Sequence, residues 1–153
     1  MKMRTATLLA TILSVSSLAF AAEKTIRRSE LPPAVEKSLQ QQVKGATIRA
    51  ITTETENGRL VYEAELIVDG HTKDIQFDAK GNIQEVEEEV SFDTLSPEVK
   101  AALTAKVKGG TVRKVESLRK KDKLVAYEAQ IDTGGRHGEI QVGPNGESLR
   151  HEE

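Results

Sequence analysis

The side chains that could carry chemistry in this chain are few and scattered. His71, His137 and His151 are its only imidazoles. His71 has Asp69 and Asp74 nearby in sequence, and His137 has Glu139, but a metal centre gathers such ligands at short fixed spacings, and these groupings show none. They read as surface histidines. The run Glu85-Val86-Glu87-Glu88-Glu89 concentrates the hard oxygen ligands that calcium prefers. A calcium loop interleaves its acids with turn-forming residues, whereas this run leads into Val90-Ser91-Phe92. It reads as an exposed strand end entering a linker, where mutual repulsion would discourage edge pairing. Nucleophilic catalysis has no candidate either, because the chain lacks cysteine and carries no serine in a Gly-x-Ser-x-Gly turn. Tyr62 and Tyr127 occupy matching places on an apolar alternation and read as core residues with their hydroxyls at the rim. With aromatic residues at 3%, a stacking surface for sugars or bases lacks its material. The expectation is a protein that is not an enzyme and holds no metal or cofactor.

The elements that would position these residues begin after a distinctive first segment. Met1–Ala21 has Lys2 and Arg4 in front, an apolar run from Ala6 to Leu18 diluted by Ser and Thr, and Ala19-Phe20-Ala21 with small residues where a signal peptidase reads. The apolar part is shorter than the roughly 20 residues a spanning helix needs. A cleaved export signal is expected, giving a periplasmic or extracellular product without stable membrane insertion. Its removal takes two of the 22 basic residues and none of the 24 acids, leaving a net charge of −4 (20 − 24). Neither that balance nor the short Arg27-Arg28 and Arg119-Lys120-Lys121 clusters suits nucleic-acid binding.

The stretch LPPAVEKSLQQQVKGATIRAI from Leu31 returns as LSPEVKAALTAKVKGGTVRKV from Leu95. In each, valine and leucine recur every four residues (Val35, Leu39, Val43; Val99, Leu103, Val107), which predicts a short helix with one narrow apolar stripe. Ser96-Pro97-Glu98 supplies an N-cap, a proline at the first helical position and an acid near the positive end of the dipole. Gly45 and Gly109, each preceded by lysine, mark the exits. The period then changes to two. In RLVYEAELIV, Leu60, Tyr62, Ala64, Leu66 and Val68 share one side; in LVAYEAQIDT, Val125, Tyr127, Ala129 and Ile131 do. The extra residue in the second copy is expected in the hairpin before this strand. HTKDIQFD and RHGEIQVG give a further strand each, followed by the glycine turns Asp78–Asn82 and Gly143–Glu147. Irregular alternation at Thr47–Thr53 and Thr111–Ser117 suggests a bulge.

These elements predict an α+β fold of two tandem repeats, each a helix packed on a three- to four-stranded antiparallel sheet. The expected layout is a signal at 1–21, an N-terminal segment at 22–29, repeat 1 at 30–89, a linker at 90–93 anchored by Phe92, repeat 2 at 94–149 and a tail at 150–153. A unit of about 60 residues is marginal alone, and no disulfide supports it, so packing two together has a physical rationale. If Tyr62, Ala64, Leu66 and Tyr127, Ala129, Ile131 face the helices, then Glu63, Glu65, Gln76, Glu128, Gln130 and Gln141 point to the opposite face. That face is either an ordinary solvated surface or a docking site for a protein with a basic patch.

The proline-led helix, its exit glycine, the Tyr-Glu-Ala strand, the Asp-Gly turn and the Asp-x-x-Gly turn in YEAELIVDGHTKDIQFDAKGNIQEVE, with YEAQI, EIQV and PNGE in the second copy, resemble the PepSY and PepSY-like domains. The resemblance implies a secreted, non-catalytic module, similar in layout to a tandem-repeat β-lactamase inhibitor. Such domains accompany secreted peptidases as propeptides. No peptidase domain is attached here, so inhibition or regulation of a partner such as a peptidase would act in trans. A structural or stress-related envelope protein and a periplasmic metal-handling protein are the alternatives.

Overall fold

The computed structural model of the protein describes residues 23–56, 58–151 and 153. The expected signal, Met1–Ala21, lies outside the described residues. Among the described residues no helix is long and apolar enough to cross a membrane.

Two helices form where the apolar stripes predict them, α1 at Pro33–Gln42 and α2 at Pro97–Val107. Both open on proline, whose missing N–H costs nothing in the first turn. The Ser96 hydroxyl caps α2 by accepting from the Val99 N–H at 3.3 Å, and Lys108 closes it in the left-handed region. Val35, Leu39, Val99 and Leu103 are at most 1% exposed. Val43, the C-cap of α1, is only half-buried.

Eight strands follow one another as β1 (Lys24–Thr25), β2 (Ala46–Glu56), β3 (Arg59–Val68), β4 (His71–Asp78), β5 (Ile83–Glu89), β6 (Thr111–Lys120), β7 (Lys123–Thr133) and β8 (Arg136–Val142). Each pairs antiparallel with its neighbour in sequence. The expectation of two helix-on-sheet repeats is therefore corrected: the described residues form a single eight-stranded antiparallel sheet carrying two α-helices. The join is made by β5 and β6, in register from Glu85↔Lys120 to Glu89↔Glu116. Two separate sheets would each have left a row of unpaired N–H and C=O groups at this position, and pairing satisfies both rows. The acidic run is thus an interior strand rather than a strand end leading into a linker. Its repulsion is partly offset across the join, where Lys120 Nζ stands 3.6 Å from Glu85.

Continuous register sets both helices on one face. Ile75 pairs with Val86, and Glu88, two residues on, pairs with Ser117, which shares its side with Val115. Val35 and Leu39 pack with Tyr62, Ala64, Leu66, Ile75 and Phe77, while Val99 and Leu103 pack with Val115, Ala129 and Val142. Phe92 packs against the second cluster. Register shifts at Arg49 and Arg113 confirm the bulges expected from irregular alternation. The extra residue of the second half is not in the turn: Lys120↔Lys123 closes the β6–β7 hairpin, and the ladder instead skips Val125 inside β7. Two glycines dock the late turns onto the helix starts. A Cβ on Gly81 would collide with the carbonyl oxygen of Ala34, one on Gly146 would stand 2.6 Å from that of Glu98, and both residues have positive φ. The Ser38 hydroxyl fastens the first contact by donating to the Gly81 carbonyl at 2.6 Å.

Candidate protein-docking surface

The face opposite the helices has no covering layer of secondary structure among the described residues. Strand alternation places Glu63 and Glu65 of β3 there, with Gln76 directly opposite Glu63 and Asp74 directly opposite Glu65 on β4. The next strand sets Glu85 against Gln76 and Glu87 against Asp74. Beyond the join, Glu116 of β6 pairs with Glu128 of β7, which pairs with Gln141 of β8. Gln130 lies on the same side, opposite Lys114 and Glu139. All six residues expected on this face are found on it.

The face is recessed rather than open. Leu118 and Ala126 are at most 1% exposed and Glu116 is 2% exposed on this side, where the C-terminal tail brings Glu153 to 3.7 Å from Lys120 Nζ. Gln141 is buried too; its amide donates to Glu128 at 2.7 Å, and its oxygen accepts from the Glu153 N–H at 2.8 Å as the C-terminal tail returns to this side. Gln76 donates to Glu56 at 2.8 Å, and Arg49 lies 3.7 Å from Glu65.

At the centre stand Asp74, Glu87 and Glu116, with one carboxylate oxygen of each lying within 4.8 Å of the other two. Burial pushes the Glu87 carboxyl up to about 8, reinforced by the charges of Glu128, Glu85, Glu116 and Asp74. Burial likewise raises Glu63 to about 7, with Asp74 adding to it, and Asp74 to about 6, with Glu116 and Glu65 adding to it. Like charges held directly opposite on adjacent strands destabilise a sheet, and partial protonation relieves that cost. One lysine enters this group: Lys114 Nζ lies 2.7 Å from Glu116 Oε1 and 3.4 Å from the Thr72 hydroxyl. No other ion pair reaches Asp74, Glu87 or Glu63 among the described residues.

Asp74, Glu87 and Glu116 are also the residues placed to hold a cation, as are Glu23, Glu63 and Glu65. Calcium takes about 6–8 oxygens, which three carboxylates reach only if all are bidentate. The histidines do not join either group. His71 Nδ1 is 3.7 Å from Glu89, and His137 Nδ1 is 3.6 Å from Asp132, each side chain well exposed. At the hairpin end of the face, an open groove of 1020 Å³ runs between Arg59, Leu60, Gln76, Glu85, Lys120 and Lys121.

Sequence reasoning missed the role of Asp74, Glu87 and Glu116. For Asp74 the signal was present: the two-residue Asp69-Gly70 turn fixes Glu65 opposite Asp74. Glu116 was hidden behind the Arg113 bulge, and Glu87 behind the unforeseen β5–β6 pairing.

Residues 60–147, more than half of the 153-residue chain, match the family described as "Putative beta-lactamase-inhibitor-like, PepSY-like". The chain belongs to this PepSY-like family. Its fold is shared by solved structures. A BLIP-like protein from Bacteroides fragilis is 25% identical, with a TM-score of 0.55 over 78% of this PepSY-like chain and 83% of the other. A DUF2874 family protein from Bacteroides ovatus is 18% identical, with a TM-score of 0.60 over 78% and 85%. A protein from Bacteroides eggerthii described as "putative periplasmic" is 18% identical, with a TM-score of 0.63 over 78% and 86%. No curated protein matches this PepSY-like sequence.

Proposed function

We propose that this PepSY-like protein is an exported, non-catalytic module that docks a partner protein on the uncovered sheet face and regulates it in trans. The observation that carries this reading is the recessed face itself. It sets Glu63, Glu65, Asp74 and Glu87 on adjacent strands, with acids outnumbering the nearby Lys114 and Arg49 around Asp74 and no ion pair at Asp74 or Glu87 among the described residues. Such a surface is broad and polar, which suits a protein better than a small apolar ligand. Inhibition is the form of regulation that the BLIP-like relative suggests, and a periplasmic location fits both the neighbour from Bacteroides eggerthii and the signal-like start of the chain. Intact-mass measurement of the exported protein should show a chain beginning near Ala22; retention of Met1–Ala21 would remove the support for export by a cleaved signal.

The test is charge reversal on the face. Signal-free protein immobilised on resin should recover a specific partner from envelope extract, and the folded triple variant Glu63→Lys, Glu65→Lys, Glu128→Lys should lose it. Equal recovery by the variant would eliminate this face as the docking site.

A further inference from the structure

The chain already shows how its uncovered face holds a cation. Lys114 extends from β6 into the carboxylate group and lies 2.7 Å from the buried Glu116, leaving Asp74 and Glu87 beyond reach of an ion pair among the described residues. The surrounding charges do not compensate them. Facing Asp74 are Glu65 from β3, Glu87 from β5, Glu116 and Lys114 from β6, and the more distant Arg49 from β2. Facing Glu87 are Asp74, Glu85 of its own strand, Glu116, and Glu128 from β7. Acids therefore outnumber bases around both. Leu118, the cross-strand partner of Glu87, and Ala126 beside it are closed to solvent, at most 1% exposed.

We propose that the occupant of this face is a cationic segment of a partner protein, with a lysine or arginine side chain seated between Asp74 and Glu87 in the manner of Lys114. The proposal rests on the docking reading above and adds the partner's chemistry. Long cationic side chains suit the site because they can carry a charged head down to carboxylates that are half-buried in the face. Charge complementarity selects such a partner and speeds encounter. Docking is also coupled to protons. The carboxyl groups hold protons well above the ordinary carboxylate range, whereas a lysine stays charged to about pH 10. A seated cation favours the ionised carboxylates, so binding releases protons and tightens as pH rises from 6 to 8.

The test uses an octalysine peptide as the probe, with octaglutamate and calcium chloride as comparisons, against signal-free protein labelled for amide NMR. Octalysine should shift the amides of Asp74, Glu87 and Glu116, bind up to about tenfold more tightly per pH unit between pH 6 and pH 8 for each proton released on binding, and weaken at least tenfold in the variant Asp74→Asn, Glu87→Gln. Neutral amides relieve repulsion, so this variant is expected to fold; its amide spectrum checks that, and the exposed helix substitution Glu98→Gln should leave binding unchanged. Equal octalysine affinity in the double variant, shifts confined to other strands, or a response to calcium without one to octalysine would each overturn the proposal. The two readings separate cleanly. An envelope partner lost by Glu63→Lys, Glu65→Lys, Glu128→Lys but retained by Asp74→Asn, Glu87→Gln would sustain docking on the face and refute the cation seat, whereas a partner retained by both would refute docking itself.

Discussion

Asp74 on β4 and Glu87 on β5 are direct cross-strand partners with carboxylate oxygens within 4.8 Å. A sheet selected for stability alone would place opposite charges or an apolar pair there. The folded chain instead retains protons that the unfolded chain has released.

The sign of the resulting pH dependence follows from linkage. Asp74, Glu63 and Glu87 titrate near 6, 7 and 8 in the folded protein, against roughly 4 when unfolded. The native state binds more protons between those limits, so stability falls as pH rises through them. The melting temperature should be lower at pH 8.5 than at pH 5.5. Asp74→Asn with Glu87→Gln should raise it at pH 8.5 and flatten the profile. A wild-type profile rising across this interval would contradict the protonated row.

Glu116 presents the opposite case, a buried carboxylate held by one lysine. Removing that lysine leaves a buried charge uncompensated. Lys114→Ala should cost about 1–3 kcal/mol in urea unfolding at pH 8, and Lys114→Ala with Glu116→Gln should recover part of the loss. No recovery in the double variant would show that Lys114 acts through its stem alone.

Gly81 and Gly45 share a positive φ near 80° but differ in surroundings. A Cβ at Gly45 meets nothing within 4 Å, while at Gly81 it meets the Ala34 carbonyl. Gly45→Ala should cost about 1–2 kcal/mol from backbone conformation, and Gly81→Ala clearly more, because α1 must move off the turn. Equal losses would show that the turn and helix are not in firm contact.

Leu39 and Leu103 are both 0% exposed. Either leucine-to-alanine change should cost about 2–5 kcal/mol, a large share of the stability of a small domain. Unchanged melting temperatures would contradict their burial.

What could be read from the sequence was local. The four-residue stripes placed α1 and α2, the two-residue alternation placed Tyr62, Ala64 and Leu66 toward the helices, and that alternation assigned Glu63, Glu65, Gln76, Glu128, Gln130 and Gln141 to the other side. What could not be read was pairing at a distance. Glu89 and Glu116 are neighbours across β5 and β6, yet all of α2 intervenes in the chain. Periodicity gives a strand its faces and says nothing of which strand lies beside it. The two-sheet expectation failed there, and with it the placing of Glu87 and Glu116. The Val125 bulge escaped for a related reason, since one added residue is equally visible in a turn or in a strand until the ladder is known.

Docking on the face opposite the helices is tested most directly by photo-crosslinking in envelope extract. A benzophenone amino acid placed at Gln76, on the recessed face, should give a discrete adduct with the partner, and the same group at Gln40, exposed on α1, should give none. An adduct formed from position 40 and not from position 76 would place the partner on the helical side and contradict the proposed surface.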